Sequence, residues 1–141
     1  HVYDDNSHEN DLNCIEEITK LLKPDCNYTI FSKRELTCTQ MKSVYGAFDC
    51  IIGTRFHSII FSLASGIPVI AITYGGNKGV GIMEDMGLSE YTIPIECVDE
   101  VKLKALMCKL DSEKEKVLKI ISKKMQKMEA EKRAIEDLLG E

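Results

Sequence analysis

The feature that most limits what this chain can become lies between Cys50 and Thr73. Cys50-Ile51-Ile52 is a compact apolar run that stops at Gly53, and Pro68-Val69-Ile70-Ala71-Ile72-Thr73 is a second. Between them, residues 56–64 have helical length and are apolar nearly all round, through Ile59, Ile60, Phe61, Leu63 and Ala64. Uninterrupted apolar strands, unlike alternating ones, belong to parallel sheets buried on both faces. A helix with no polar face has to be buried against such a sheet. Short links around Gly53 and Gly66 then leave a strand–helix–strand unit as the natural solution.

The same alternation extends outward. Residues 11–23 predict an amphipathic helix with Leu12, Ile15, Ile18 and Leu22 on one stripe, Asn10 or Asp11 as cap and Pro24 as stop. Tyr28-Thr29-Ile30-Phe31 reads as a short strand, and residues 39–48 as a second helix capped by Thr37 or Thr39. After Thr73 come a glycine-rich loop, a short helix over 80–86, and a strand at 91–94 whose Pro94 suits an edge. Strand and helix alternate about four times, which predicts an α/β domain: a Rossmann-like parallel sheet sandwiched by helices. In that scheme His1-Val2-Tyr3, which lacks a starting methionine, reads as the frayed end of a strand that begins upstream. One domain over 1–141, part of something larger, is the expectation.

Two further helices close the chain. Residues 99–110 place Val101, Leu103 and Leu106 inward. Residues 112–139 form a long helix with Ser112 as cap and Glu115 three residues on, a capping-box arrangement. Val117, Leu118, Ile121, Met125, Met128, Ile135, Leu138 and Leu139 make a narrow stripe at three and four spacing, fit to pack on this domain, on an adjoining one, or on a coiled-coil partner.

Composition removes whole classes of function. With 141 residues and 44% hydrophobic side chains, the chain can bury a real core, so wholesale disorder is excluded. Eighteen basic against 23 acidic residues give a net charge of −5, which argues against nucleic acid as partner. No run of apolar residues is long enough for a transmembrane segment, and the acidic start is unlike a signal peptide. Six of the acids fall within residues 1–17, which hold no Lys or Arg; the stretch from Ser112 onward is nearly balanced, as on a solvated helix. Cys14, Cys26, Cys38 and Cys50 are evenly spaced, but their flanks share nothing. No C-x-x-C or zinc-like histidine spacing occurs, so no metal is implied. Several cysteines fall in apolar patterns, where the thiol acts as a small hydrophobe. A reduced, cytoplasmic protein fits best.

In open α/β sheets, ligands bind beyond the carboxyl ends of strands. Two segments have that placement. In Gly53-Thr54-Arg55-Phe56-His57-Ser58, a buried strand feeds a buried helix. Gly53 is expected to allow a tight turn and close approach of a ligand. The free N–H groups of the helix's first turn attract an anion. Arg55 adds a donor fork matched to carboxylate or phosphate, and His57 can donate a hydrogen bond or shuttle a proton. Both reach one ligand only if one of them precedes the helix proper. The alternative is a capping arginine and a core histidine. The second segment, Tyr74-Gly75-Gly76-Asn77-Lys78-Gly79, offers glycines able to form a phosphate nest with Lys78 beside it, or simply an ordinary flexible loop. Neither phosphate-loop nor dinucleotide glycine spacing is met.

Taken together, Gly53, Arg55, His57, the apolar helix, Gly66-Ile67-Pro68, Tyr74 and Lys78 resemble the pattern of the polysaccharide pyruvyl transferase family. The likeness is strongest over residues 45–90. The resemblance implies the C-terminal domain of a GT-B fold, in which two Rossmann-like domains face each other across a cleft. It implies transfer of pyruvate from phosphoenolpyruvate to a saccharide or lipid-linked saccharide acceptor as a ketal, with no cofactor. By that likeness Arg55 holds the donor's carboxylate or phosphate, and His57 hydrogen-bonds it and acts as acid or base. Gly53, Thr54 and Ser58 supply supporting contacts, and Tyr74, Gly75, Gly76 and Lys78 form a second anion contact. An absent N-terminal domain would supply much of the acceptor site, so the domain alone is expected to be nearly inactive. A nucleotide-sugar-binding domain of a GT-B glycosyltransferase, and a non-catalytic interaction domain, are the alternatives.

Overall fold

The computed structural model describes residues 10–31, 35–76 and 78–140, and the chain divides into two compact units, His1–Thr37 and Cys38–Glu141. In the first unit, helix α1 (Asp11–Leu21) begins where the Asn10 side chain accepts a hydrogen bond from the Leu12 N–H at 2.9 Å. It ends before the expected Lys23, because the residue preceding a proline is pushed out of helical geometry and Leu22 is already extended. No α1 residue is buried. Tyr28–Phe31, expected as a strand, is irregular and exposed. A strand exists only as part of a paired ladder, and among the described residues the ladders are confined to 51–53, 69–73 and 92–94. The expected strand end at Val2-Tyr3 lies outside the described residues.

The second unit is the α/β body. After α2 (Cys38–Tyr45) come β1 (Ile51–Gly53), α3 (Phe56–Ala64), β2 (Val69–Thr73), α4 (Lys78–Met86) and β3 (Thr92–Pro94). The strands form one parallel sheet in the order β1-β2-β3, with Gly53 opposite Ala71 and Thr73 opposite Pro94. β3 is thus an edge strand, as Pro94 requires, with a 3₁₀ turn, Ser89–Tyr91, leading into it. Helix α5 (Glu100–Ser112) and the long α6 (Lys114–Leu139) follow. This is a mixed α/β fold with a small parallel sheet, consistent with a Rossmann-like arrangement.

All five residues of β2 are buried, which explains their unbroken apolar pattern. Around them lie Ile59 and Leu63 of α3, Met83 and Met86 of α4, Leu88, Tyr91, Leu110 of α5, and Val117 and Ile121 of α6. Each such aliphatic side chain contributes about 1.5–3 kcal/mol when fully buried. Coverage thins at the other edge of the sheet. Ile52 of β1 is 41% exposed, so the expectation of a sheet covered on both faces holds for β2 and fails for β1.

Three further expectations need correction. Ser112 does not cap α6. Its hydroxyl donates to the Lys109 carbonyl inside the last turn of α5, and the helices break at Glu113, which makes no side-chain cap. Val101 is 77% exposed; Leu103 and Leu106 are partly buried against the core, and Leu110 is the buried residue of α5. All six cysteines are exposed, so none serves as a small core hydrophobe. No helix among the described residues is long and apolar enough to cross a membrane.

Candidate functional site

Because β1 and β2 are parallel and in register, they run out at the same edge of the sheet, β1 at Gly53 and β2 at Thr73. The turn at 53–58 and the turn at 74–78 therefore leave from one side, each leading into a helix N-terminus. Both sequence-predicted segments are brought to that edge.

The first turn is tightly tied. Arg55 is the N-cap of α3, extended at φ −95° and ψ 140°, and its side chain makes no capping hydrogen bond. Its carbonyl accepts from the Ser58 N–H at 2.9 Å, the Ile59 N–H at 3.3 Å and the Ser58 hydroxyl at 2.6 Å. Arg55 is half-buried and His57 exposed; the His57 ring stands edge-on to Phe56 with centroids 5.8 Å apart. Arg55 thus precedes the helix proper while His57 lies in its first turn, the condition for both to serve one ligand. A guanidinium carries no acceptor, so Arg55 gives no side-chain cap to the N–H groups of Phe56 and His57, the kind of helix start that can take an anion. Thr54 is exposed beside them.

Gly53 has a different reason to be glycine than the tight turn expected of it. Its φ is not positive. It is buried, and a Cβ there would lie 2.7 Å from Ser58 Oγ and 3.2 Å from Ile59 Cγ1. Room for its neighbours is what position 53 demands.

The second turn has open surroundings. Tyr74 is exposed directly after β2, and Gly75 and Gly76 adopt φ of 56° and 142° with open space around them. These conformations strain residues bearing a Cβ. Lys78, exposed, opens α4. Next to it Gly79 lies so close to β2 that a Cβ would meet Thr73 Cγ2 at 3.0 Å and Ile59 Cδ1 at 3.6 Å. Ile59 therefore sits beneath both turns.

One polar constellation was not foreseen. The hydroxyl of buried Tyr91 donates to Glu113 at 3.0 Å; Lys116 reaches Glu113 at 2.7 Å and Glu90 at 3.4 Å; Lys109 pairs with Glu90 and lies over the Tyr91 ring, 5.5 Å from its centre. Burial, then the Glu113 carboxylate, push the Tyr91 phenol up to about 12. The hydrogen bond from Lys116 lowers Glu113, and that from Lys109 lowers Glu90. The only hint in the sequence is that a buried tyrosine needs a partner for its hydroxyl. The group fastens the α5–α6 junction to the turn before β3. A hollow of ≈560 Å³ beside that junction is lined by Ser112, Glu113, Glu115, Lys116, Lys119 and Ile120, none of them in either turn. Among the described residues, no group of three or more His, Cys, Asp or Glu side chains is placed to hold a metal ion.

A family model described as polysaccharide pyruvyl transferase matches residues 1–76 of the 141. That span takes in the first turn whole and the second as far as Gly76. No solved structure matches the chain.

Proposed function

The chain belongs to the polysaccharide pyruvyl transferase family, and on that premise we propose that the turns at 53–58 and 74–78 hold the pyruvyl donor. The donor is phosphoenolpyruvate and the acceptor a pair of hydroxyls on a saccharide or lipid-linked saccharide. One observation carries the reading: Arg55 occupies the N-cap position of α3, immediately before its first turn, at the carboxyl edge of a parallel sheet. A planar donor fork and a helix N-terminus both select an oxyanion.

In the proposed reaction the enol C3 gains a proton while one acceptor hydroxyl oxygen bonds to C2 and gives up its own. The second hydroxyl oxygen then bonds to C2 as the C2–O bond to phosphate breaks, its proton leaving with the phosphate. The products are a ketal and inorganic phosphate. His57 serves as acid or base for these transfers. Arg55, with Thr54 and the first-turn amides, offsets one anionic group of the donor. Tyr74, Gly75, Gly76 and Lys78 receive the other. In keeping with the GT-B likeness, this chain is one of two Rossmann-like domains, and the other completes the acceptor site.

Calorimetric titration tests the donor assignment. Phosphoenolpyruvate is expected to bind the chain, and Arg55→Ala to weaken binding ten- to a hundredfold, the range for a lost charge-assisted pair of about 1.5–3 kcal/mol. Stabilisation by a UDP- or GDP-sugar but not by phosphoenolpyruvate would overturn it in favour of a glycosyltransferase. A pyruvylation assay checks the half-site: robust turnover by this chain alone removes the need for a second domain.

A further inference from the structure

We propose that Ser58 is a positioning residue: its hydroxyl, seated over the bare α-carbon of Gly53, fixes the backbone of Arg55 and with it the direction of the guanidinium. The proposal rests on the donor-site reading and goes beyond it, since that reading asks of Ser58 only a supporting contact.

The hydroxyl hydrogen is already committed, being donated to the Arg55 carbonyl at 2.6 Å. The same carbonyl takes the Ser58 and Ile59 N–H groups, so three donors hold one peptide group at the base of the arginine. Ser58 is held in turn, because the buried Ser62 hydroxyl donates to its carbonyl at 2.8 Å. Glycine at 53 is what makes this possible. A Cβ there would come within 2.7 Å of Ser58 Oγ, while the backbone conformation itself makes no demand for glycine. Serine hydroxyls inside helices commonly bond back to a carbonyl of the preceding turn. Here the acceptor belongs to the residue that carries the charge. An arginine has a long, rotatable side chain, so a small change in its root displaces the guanidinium, and displacements of about 1 Å cost binding and catalysis steeply.

A double-mutant cycle on the full chain tests this, with phosphoenolpyruvate as probe and the ¹³C carbonyl shift of Arg55 as a second, ligand-free readout. Ser58→Ala is expected to weaken phosphoenolpyruvate binding about five- to tenfold, as for loss of one hydrogen bond. Ser58→Thr, which keeps the hydroxyl, should restore it. Gly53→Ala should weaken binding at least as much in the native background, yet add less than about twofold once Ser58 is alanine, because no oxygen then opposes the new Cβ. The Arg55 carbonyl shift should move in Ser58→Ala and Gly53→Ala and stay in place in Ser58→Thr. A merely structural role would lower the melting temperature and move that shift without weakening phosphoenolpyruvate binding to the folded protein. Equal cost of Gly53→Ala in both backgrounds, or an unmoved Arg55 carbonyl in Ser58→Ala, overturns the proposal. Failure of the native chain to bind phosphoenolpyruvate counts against the donor reading alone; the Arg55 side-chain Nε–H resonance, expected to shift in Ser58→Ala and to return in Ser58→Thr, still decides for Ser58, and an unmoved Nε–H resonance decides against it.

Discussion

The two strand-to-helix turns at the carboxyl edge of the sheet solve the same topological problem in opposite ways. At 53–58 the turn is closed by three hydrogen bonds to one carbonyl, and its glycine is chosen for the space it leaves. At 74–78 the glycines are chosen for their backbone conformation, in open surroundings. The first arrangement suits a group that must be aimed, such as the Arg55 guanidinium. In the proposed reading, the second leaves open space for the donor's other anionic group. Preorganisation is concentrated where a long side chain has most freedom to lose.

That contrast can be broken or sharpened in steps. Ile59→Ala should have the largest effect, about 3 kcal/mol in urea unfolding, since it empties a fully buried site beneath both turns. Equal loss of order at both turns, read by amide hydrogen exchange, is expected; loss at one alone would show that Ile59 does not couple them. Gly53→Ala should cost about 2 kcal/mol through crowding of Ser58 and Ile59. Gly75→Ala should cost about 1 kcal/mol, from backbone conformation alone. A reversal of these two costs would invert the assignment of the crowded and the open turn.

The smallest effect is a control lying in neither turn. Glu90 and Glu113 are held below their ordinary value of 4.5, so their contribution to stability is complete above that pH and is lost as pH falls beneath it through the depressed folded values. Tyr91, raised from 10 to about 12, behaves oppositely: its contribution is complete below pH 10 and is lost as pH rises toward 12. Glu113→Gln should flatten the acid limb of a melting-temperature profile and Tyr91→Phe the alkaline limb. Neither should alter phosphoenolpyruvate affinity at neutral pH.

Much of the body was legible because its signals are local. The apolar run over 56–64 is α3 to the residue, and the run from Val69 to Thr73 is β2. Pro94 marked an edge strand, since it has no N–H for a second ladder. Elsewhere a local signal had a competitor. Ser112 had a carbonyl of its own helix within reach and took it in preference to a cap at the next. Tyr28–Phe31 has strand composition, but composition cannot supply a ladder partner. Within α6 a single apolar stripe meets two fates: Val117 and Ile121 are buried in the core, whereas Leu138 and Leu139 are 85% and 72% exposed.

Of the candidate site, the residue types and their order along the chain were readable, down to the requirement that Arg55 stand before the helix and His57 within it. The spacing G-x-R-x-H also called for a glycine, but not for its true reason. Taken alone, the sequence determined which segments become buried strands and helices and which turns carry charge, because periodicity and side-chain chemistry act over a few residues. The tertiary structure alone decided which apolar faces are covered, which acceptor each hydroxyl chooses, and that Gly53 exists for the sake of Ser58. Those are properties of pairs of atoms packed to within a few tenths of an ångström, and the order of residue types along a segment does not carry such distances.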